Sequence, residues 1–311
     1  MNKKVKTVLI TGSTGYVCGY VIREILEFTN FNIIATYRNH KGDYPPNKRL
    51  IFEKANLLIK DSFEYIFEKH NPDYLIHLAA MARVADGESQ PVASLNANLI
   101  TPISLIKLCK KYNLESAVIA SSNLAQNAIS TVGISKLLLE LYTQKINTDN
   151  TRFICYRVPN VIDSNGAVTH IFRRQISNNK PITITHPEMS RMFTTGNQAA
   201  KEILYLLSSG TNKGIFVSYK KPTKITELAE RMIADSGKKI DIEYIGIKPG
   251  EKLTEHSFSE NEVIPTDIPF LGKLKETGFN EELVGNAMAK LISKNEIVSS
   301  SETRNFLYSI F

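Results

Sequence analysis

Lys6-Thr7-Val8-Leu9-Ile10-Thr11 runs straight into Gly12-Ser13-Thr14-Gly15-Tyr16-Val17-Cys18-Gly19, and these fourteen residues decide the fold. The first six form a short β-branched apolar run stopped by glycine, the pattern of a buried parallel strand. Apolar side chains then return at helical spacing, at Val17, Val21, Ile22, Ile25 and Leu26. Strand, glycine turn and helix in that order bring free helix N–H groups and the positive end of a helix dipole to the turn. Such a turn accepts a pyrophosphate, so Gly12, Thr14, Gly15, Tyr16 and Val17 are candidate dinucleotide-binding residues. The spacing is G-x-x-G-x-x-C, which puts Cys18 where a third glycine would allow close helix–strand packing. Cysteine is small enough for that place.

Outward from this loop, strands are predicted at 32–37, 50–54, 74–78, 116–120 and 152–157, and helices at 61–69, 91–112 and 132–144. Strand and helix alternating in this way imply an α/β fold with a doubly wound parallel sheet, a Rossmann arrangement. The second strand ends at Thr36-Tyr37-Arg38, without an acid to hold a ribose 2′-hydroxyl. Arg38 could instead meet a 2′-phosphate, which points to NADP ahead of NAD. After Asn160 the pattern loosens, with pieces at 182–185, 195–207, 215–218, 225–236 and 240–244. Residues 1–160 are thus read as a dinucleotide-binding domain. Residues 161–311 are read as a smaller C-terminal substrate-binding lobe, interleaved with that domain and closing over the carboxyl edge of the sheet.

The 311 residues carry 38 Lys plus Arg against 31 Asp plus Glu, a formal charge of +7, with 42% hydrophobic residues. This balance excludes disordered, collagenous and coiled-coil classes. Basic residues are spread rather than clustered with aromatics, so small phosphate-bearing ligands are favoured and nucleic acid is not. Cys18, Cys109 and Cys155 lie far apart with no C-x-x-C spacing, which argues against a disulfide framework and fits a cytoplasmic location. No metal is expected, because no His/Cys/Asp cluster has ligand spacing. No apolar run comes close to the ~20 residues of a membrane span, and no signal-peptide cleavage pattern is visible, so no membrane is expected.

Four stretches of the second half carry a resemblance: Arg157-Val158-Pro159-Asn160-Val161; Ser164-Asn165-Gly166; Pro181-Ile182-Thr183-Ile184-Thr185-His186-Pro187-Glu188-Met189-Ser190-Arg191; and Lys248-Pro249-Gly250-Glu251-Lys252-Leu253. With the glycine loop, they make the chain, over about residues 5–258, similar to the extended short-chain dehydrogenase/reductases that act as nucleotide-sugar epimerases and dehydratases. Within these it most resembles the UDP-N-acetylglucosamine 4,6-dehydratase (inverting) group of polysaccharide biosynthesis. The resemblance implies that Asn160 faces the sugar or pyrophosphate. It places Arg191, Lys248 and Glu251 in the nucleotide-sugar pocket, where cations suit phosphate oxygens and a guanidinium forks onto two of them. It implies that Leu78, Ala79 and Ala80 border the nicotinamide, and that Asn56 lies along the cofactor. It also implies a homo-oligomer built through helices flanking the fourth and fifth strands. His186 reads as a turn residue without chemistry.

The resemblance also exposes departures. The superfamily uses a tyrosine and a lysine four residues later, one helical turn apart, with the ammonium holding the ribose and lowering the phenol's pKa. Here the lysine is Lys136, but the tyrosine position holds Val132. The inverting dehydratases add an Asp–Lys pair, replaced here by Asn123 and Leu124, while Ser122 keeps the substrate-binding hydroxyl. One positioned proton-transfer group contributes about 10²–10⁴ in rate, so losing three should end the usual dehydration. Lys136 and Ser122 remain as catalytic candidates, and Asp86, Glu88 and Asp163 are further acids that could supply a base. Tyr142, six residues beyond Lys136, falls near the opposite helix face. The expectation is therefore an NAD(P)-dependent enzyme modifying a UDP-linked sugar with atypical acid/base residues. The alternative is a catalytically silent relative that binds both ligands as a sensor or partner subunit.

Overall fold

The computed structural model describes residues 5–275, except 58, 60, 61, 148, 149 and 257, together with residue 305. In chain order its elements begin β1 (Thr7–Thr11), α1 (Tyr16–Phe28), β2 (Asn32–Tyr37), β3 (Leu50–Lys54), α2 (Glu64–His70), β4 (Tyr74–His77) and α3 (Val84–Ser89). Next come α4 (Pro91–Leu95), a π-helical turn at Asn96–Ile100, α5 (Thr101–Lys111), β5 (Ser116–Ser122), α6 (Thr131–Lys145), β6 (Arg152–Val158), β7 (Asn160–Val161) and α7 (Val168–Ser177). The rest are β8 (Ile182–Ile184), β9 (Ser190–Arg191), β10 (Phe193–Thr194), α8 (Gly196–Ser209), β11 (Ile215–Ser218), β12 (Thr223–Lys224), α9 (Ile225–Ser236), β13 (Ile242–Tyr244), β14 (Val263–Pro265) and β15 (Leu271–Leu274).

β1 is an interior strand of the sheet: Val8, Leu9 and Ile10 have no exposed surface, and the strand pairs in parallel with β2 and β4 on its two sides. The nine-stranded order is β14-β15-β11-β6-β5-β4-β1-β2-β3, parallel from β11 through β3 and antiparallel at β14 and β15. Winding reverses between β1 and β4, and ligands bind outside the carboxyl ends of strands at such a point. One face carries α1 and α8, packed through Val21, Ile22, Ile25, Ala200, Ile203 and Leu206. The other carries α2, α5 and α6 through Phe67, Ile106, Leu137 and Leu138. Each such large buried side chain contributes about 1.5–3 kcal/mol of hydrophobic stabilisation, which holds the sheet rigid beneath the loops.

The 161–311 stretch divides its described residues between two places. β11 pairs with β6 inside the main sheet, and α8 lies on α1. A separate apolar cluster of Phe172, Ile182, Ile184, Met189, Ile225 and Ala229 gathers α7, α9, β8 and the pairs β8–β13 and β9–β12 over the sheet's carboxyl edge.

Two local expectations change. The 61–69 helix is found as α2, starting at Glu64; Asp61 lies outside the described residues, as do 276–304 and 306–311 of the predicted lobe. The continuous helix Pro91–Lys111 is long and apolar enough, by length and composition, to cross a membrane. This corrects the reading that no run comes near that length. Ser94, Asn96, Asn98 and Thr101 interrupt the apolar letters without making the whole helix polar, and most of it is buried among Leu95, Leu99, Ile103 and Ile106 in the core.

Candidate active site

The glycine turn is held from below by the strand that precedes it. Thr11 Oγ1 accepts the backbone N–H groups of Leu78 and Ala79, both at 3.1 Å, and pairs with His77 Nδ1 at 2.8 Å. Gly12 sits at φ +84°, and a Cβ there would stand 3.1 Å from the Cα of Ala79. The two loops at the switch point therefore touch through backbone. Gly15 begins α1 with no side-chain cap, so the first N–H groups of the helix are presented to a ligand. Asn98, in the π-helical turn, donates to Met81 O and accepts from Met81 N, each at 2.9 Å, and so fixes the loop after β4.

Above these strand ends lies one cavity of about 1090 Å³. Gly12, Thr14, Gly15, Tyr16 and Val17 line one end, with Arg38 and Asn56 beside them from the ends of β2 and β3. Leu78, Ala79 and Ala80 line the middle. Ser122 and Lys136 stand beyond them, and Asn160, Arg191, Lys248 and Glu251 line the far wall. The structure thus brings all of these sequence-predicted residues to a single space. Of the three further acids, Asp86 lines it. Glu88 accepts the Thr131 N–H at 2.8 Å at the start of α6, and Asp163 pairs with Arg173 at 2.6 Å; neither lines the cavity.

Lys136 is buried and donates to Ala120 O at 2.7 Å, and burial draws its pKa down to about 8. One turn earlier, Val132 lines the cavity and packs on Gly87, where a Cβ would come within 2.5 Å of it. Among the described residues the lining holds two tyrosines, Tyr16 and Tyr37, both at the glycine-turn end. Tyr142 packs against the core beneath instead. α6 reaches this position because Ser130 caps it by accepting the Gly133 N–H at 3.1 Å. Gly133 lies so near Leu124 that a Cβ would stand 2.5 Å from its carbonyl oxygen.

Sequence reasoning missed two residues of the 248–255 segment. Glu255 is buried and accepts from Asn160 Nδ2 at 2.9 and 3.1 Å, from Asn123 Nδ2 at 3.3 Å and from Met192 N at 3.3 Å, with Arg191 Nε 3.6 Å away. Asn160 therefore spends its donor side on Glu255 and on Met192 O. Lys252 Nζ donates to the carbonyl oxygens of Leu124, at 3.3 Å, and of Gln126. The apolar and charged letters of Lys-Pro-Gly-Glu-Lys show a turn, but no spacing rule says which wall of the cavity it meets.

A family model described as polysaccharide biosynthesis protein matches residues 8–269. The chain belongs to this family. The capsular polysaccharide biosynthesis protein CapD of Staphylococcus aureus is 30% identical over 279 residues, covering 85% of this chain and 47% of that protein. The probable polysaccharide biosynthesis protein EpsC of Bacillus subtilis is 30% identical over 277 residues, covering 84% of this chain and 46% of that protein. The chain thus spans about half the length of these curated relatives. Among solved structures, Pen from Bacillus thuringiensis superposes with a TM-score of 0.79 at 24% identity, over 94% of this chain and 99% of that one. The UDP-glucose 4-epimerase of Thermus thermophilus, solved in complex with NAD, gives a TM-score of 0.70 at 18% identity over 98% of each chain. These two likenesses establish the fold. In this member of the polysaccharide biosynthesis family, the residues at the switch point fit a dinucleotide. A Cβ at Gly12 would fill the cradle, and the buried Asn123 Oδ1 at the other end has no partner among the described residues.

Proposed function

We propose that the chain binds a nicotinamide dinucleotide, NADP or NAD, and a UDP-linked sugar in one cavity. In this reading it modifies the sugar by oxidoreduction, epimerisation or dehydration during surface polysaccharide biosynthesis. The observation that carries this is the continuous 1090 Å³ space running from Gly12–Val17 past Lys136 to Asn160, Arg191 and Lys248. That volume suits two nucleotide-sized ligands end to end. Family membership and an epimerase of the same fold solved with NAD support the reading. The buried, unpaired state of Cys18, Cys109 and Cys155 supports a reducing, cytoplasmic setting.

When bound, the dinucleotide would supply a hydride acceptor. The chain's own residues do the rest. The N–H groups at the start of α1 hold the pyrophosphate, and Arg38 meets a 2′-phosphate. The Lys136 ammonium holds the nicotinamide ribose at the floor of the site. Ser122 donates to a sugar hydroxyl, and Arg191 and Lys248 neutralise the sugar's diphosphate. The lobe of α7 and α9 covers the sugar and excludes water.

Incubation with a panel of UDP-sugars tests this, with reduced cofactor followed by its near-ultraviolet absorbance and products by mass spectrometry. Turnover of at least one UDP-sugar is expected. Calorimetry showing no binding of any dinucleotide would sink the reading. A second reading rests on Val132: a chain that binds both ligands without turnover would be a sensor or partner subunit. A homo-oligomer through the helices beside β4 and β5 is proposed with either reading, and light scattering measures it.

A further inference from the structure

We propose that Lys252 is the proton-transfer amine at the sugar end of the cavity, brought across from the 248–255 segment to the turn where Leu124 carries no charge. This rests on the reading above, and it names the acid/base group that Asn123, Leu124 and Val132 leave missing.

Three observations carry it. Lys252 lines the cavity. Its Nζ donates to the carbonyl oxygens of Leu124 and Gln126, so it meets the same turn that would bear a lysine at position 124, although 128 residues separate Lys252 from Leu124. That turn is fixed, since Gly133 packs directly on the Leu124 carbonyl and Asn123 is tied to Glu255. A neutral amine donating to two carbonyls keeps its lone pair free, and a protonated one keeps a third N–H. Either way one direction at nitrogen remains for a ligand.

The surroundings suit proton exchange near neutrality. Burial is the largest influence and draws the Lys252 pKa down to about 8. Glu255, on the same segment, favours the charged form, while Arg157 of β6 and Arg191 of β9 oppose it. In the oxidation of a sugar hydroxyl, a bound dinucleotide would supply the hydride acceptor, and the hydroxyl oxygen would give up a proton. The neutral Lys252 amine takes that proton and becomes an ammonium. The reverse reduction returns both.

The test uses Lys252→Gln, which retains N–H groups for the two carbonyls, and Lys252→Arg, which retains charge but does not deprotonate. Both variants should bind UDP and dinucleotide within about threefold of wild type, a change under 1 kcal/mol. Turnover should fall about 10²–10⁴-fold, and the limb of the pH–rate profile near pH 8 should vanish. Independently of turnover, a small amine-reactive reagent with peptide mass spectrometry should half-label Lys252 near pH 8 in the wild type. Wild-type rate and pH profile in Lys252→Gln would overturn the proposal and leave the proposed function standing. So would a Lys252 amine that labels only near the ordinary lysine pKa. A wild type that binds both ligands without turning over any UDP-sugar would also overturn it, in favour of the silent reading. A wild type that binds no dinucleotide would bring down the proposed function itself.

Discussion

The Glu255 carboxylate accepts two hydrogen bonds from the Asn160 amide, at 2.9 and 3.1 Å, across 95 residues of chain. It also takes the Asn123 amide and the Met192 N–H, so one buried acid joins the end of β5, the start of β7 and the strand that carries Arg191. Glu255→Ala strands those donors, and a buried donor left unpaired costs about 1–3 kcal/mol. We expect a loss of about 2–4 kcal/mol in denaturant unfolding, with UDP affinity falling as Asn160 and Arg191 lose their positions. Glu255→Gln should lose less stability, because it keeps one acceptor. Unchanged unfolding midpoints in both variants would show that the far wall does not depend on this acid.

Arg38 follows β2 at the rim of the cavity, where the ribose of the adenosine half would lie. A guanidinium there distinguishes a 2′-phosphate from a 2′-hydroxyl by charge. Hydrogen bonds to charged groups contribute about 1.5–3 kcal/mol, so Arg38→Ala should weaken NADP by about 10–100-fold. NAD affinity should move by less than about threefold, since no charged contact is lost. Titration calorimetry with both dinucleotides reads the difference. Equal losses for both would mean that Arg38 does not read the 2′ position.

The strands and helices of the first half were legible because period and punctuation agree there. The predicted strands at 32–37 and 50–54 coincide with β2 and β3, and 225–236 coincides with α9. The glycine turn between β1 and α1 was legible for the same reason, since Gly12 needs a positive φ and Gly15 caps a helix. The opposite wall of the cavity was legible only in part: Asn160, Arg191, Lys248 and Glu251 were expected there, but Lys252 and Glu255 were not. Lys252 and Glu255 act through residues more than ninety positions away, and no local pattern encodes which turn a lysine will meet. Asn98 was missed because its role depends on a π-helical turn that aims its amide at Met81. The extent of the helix Pro91–Lys111 was legible, but its overall apolar character was not, because polar letters inside it break up the apolar run.

Glu53 in β3 offers a stability test away from the cavity. Burial raises its pKa, but hydrogen bonds from Lys69, Tyr65 and His70 outweigh that and hold it at about 2, against an ordinary 4.5. A carboxylate depressed in the folded state stabilises above its unfolded pKa and loses that contribution as pH falls through its folded pKa. Between about pH 4.5 and pH 2 the wild type should therefore lose on the order of 3 kcal/mol that Glu53→Gln does not lose. Chemical denaturation at pH 7 should show the variant less stable, with the gap closing towards pH 2. A gap independent of pH would mean that these partners do not hold the ionised form.

Lys136 has the opposite sign. Its folded pKa is about 8 against an ordinary 10.5, because burial disfavours the ammonium and, among the described residues, Ala120 O is its one hydrogen-bond acceptor. Below pH 8 the amine is charged in both states, and folding bears the full penalty of burying it. From pH 8 to 10.5 the unfolded chain binds more protons, so the wild type gains stability as pH rises. Lys136→Met carries no titrating group there. It should be more stable than the wild type at pH 7, by up to about 3 kcal/mol, and the difference should shrink between pH 8 and 10.5. The same variant should bind dinucleotide more weakly, because the ribose loses its ammonium. More stable yet poorer at binding is the pattern of a site residue kept against the interest of the fold. A Lys136→Met protein less stable than wild type at pH 7, with unaltered dinucleotide affinity, would make Lys136 a structural residue.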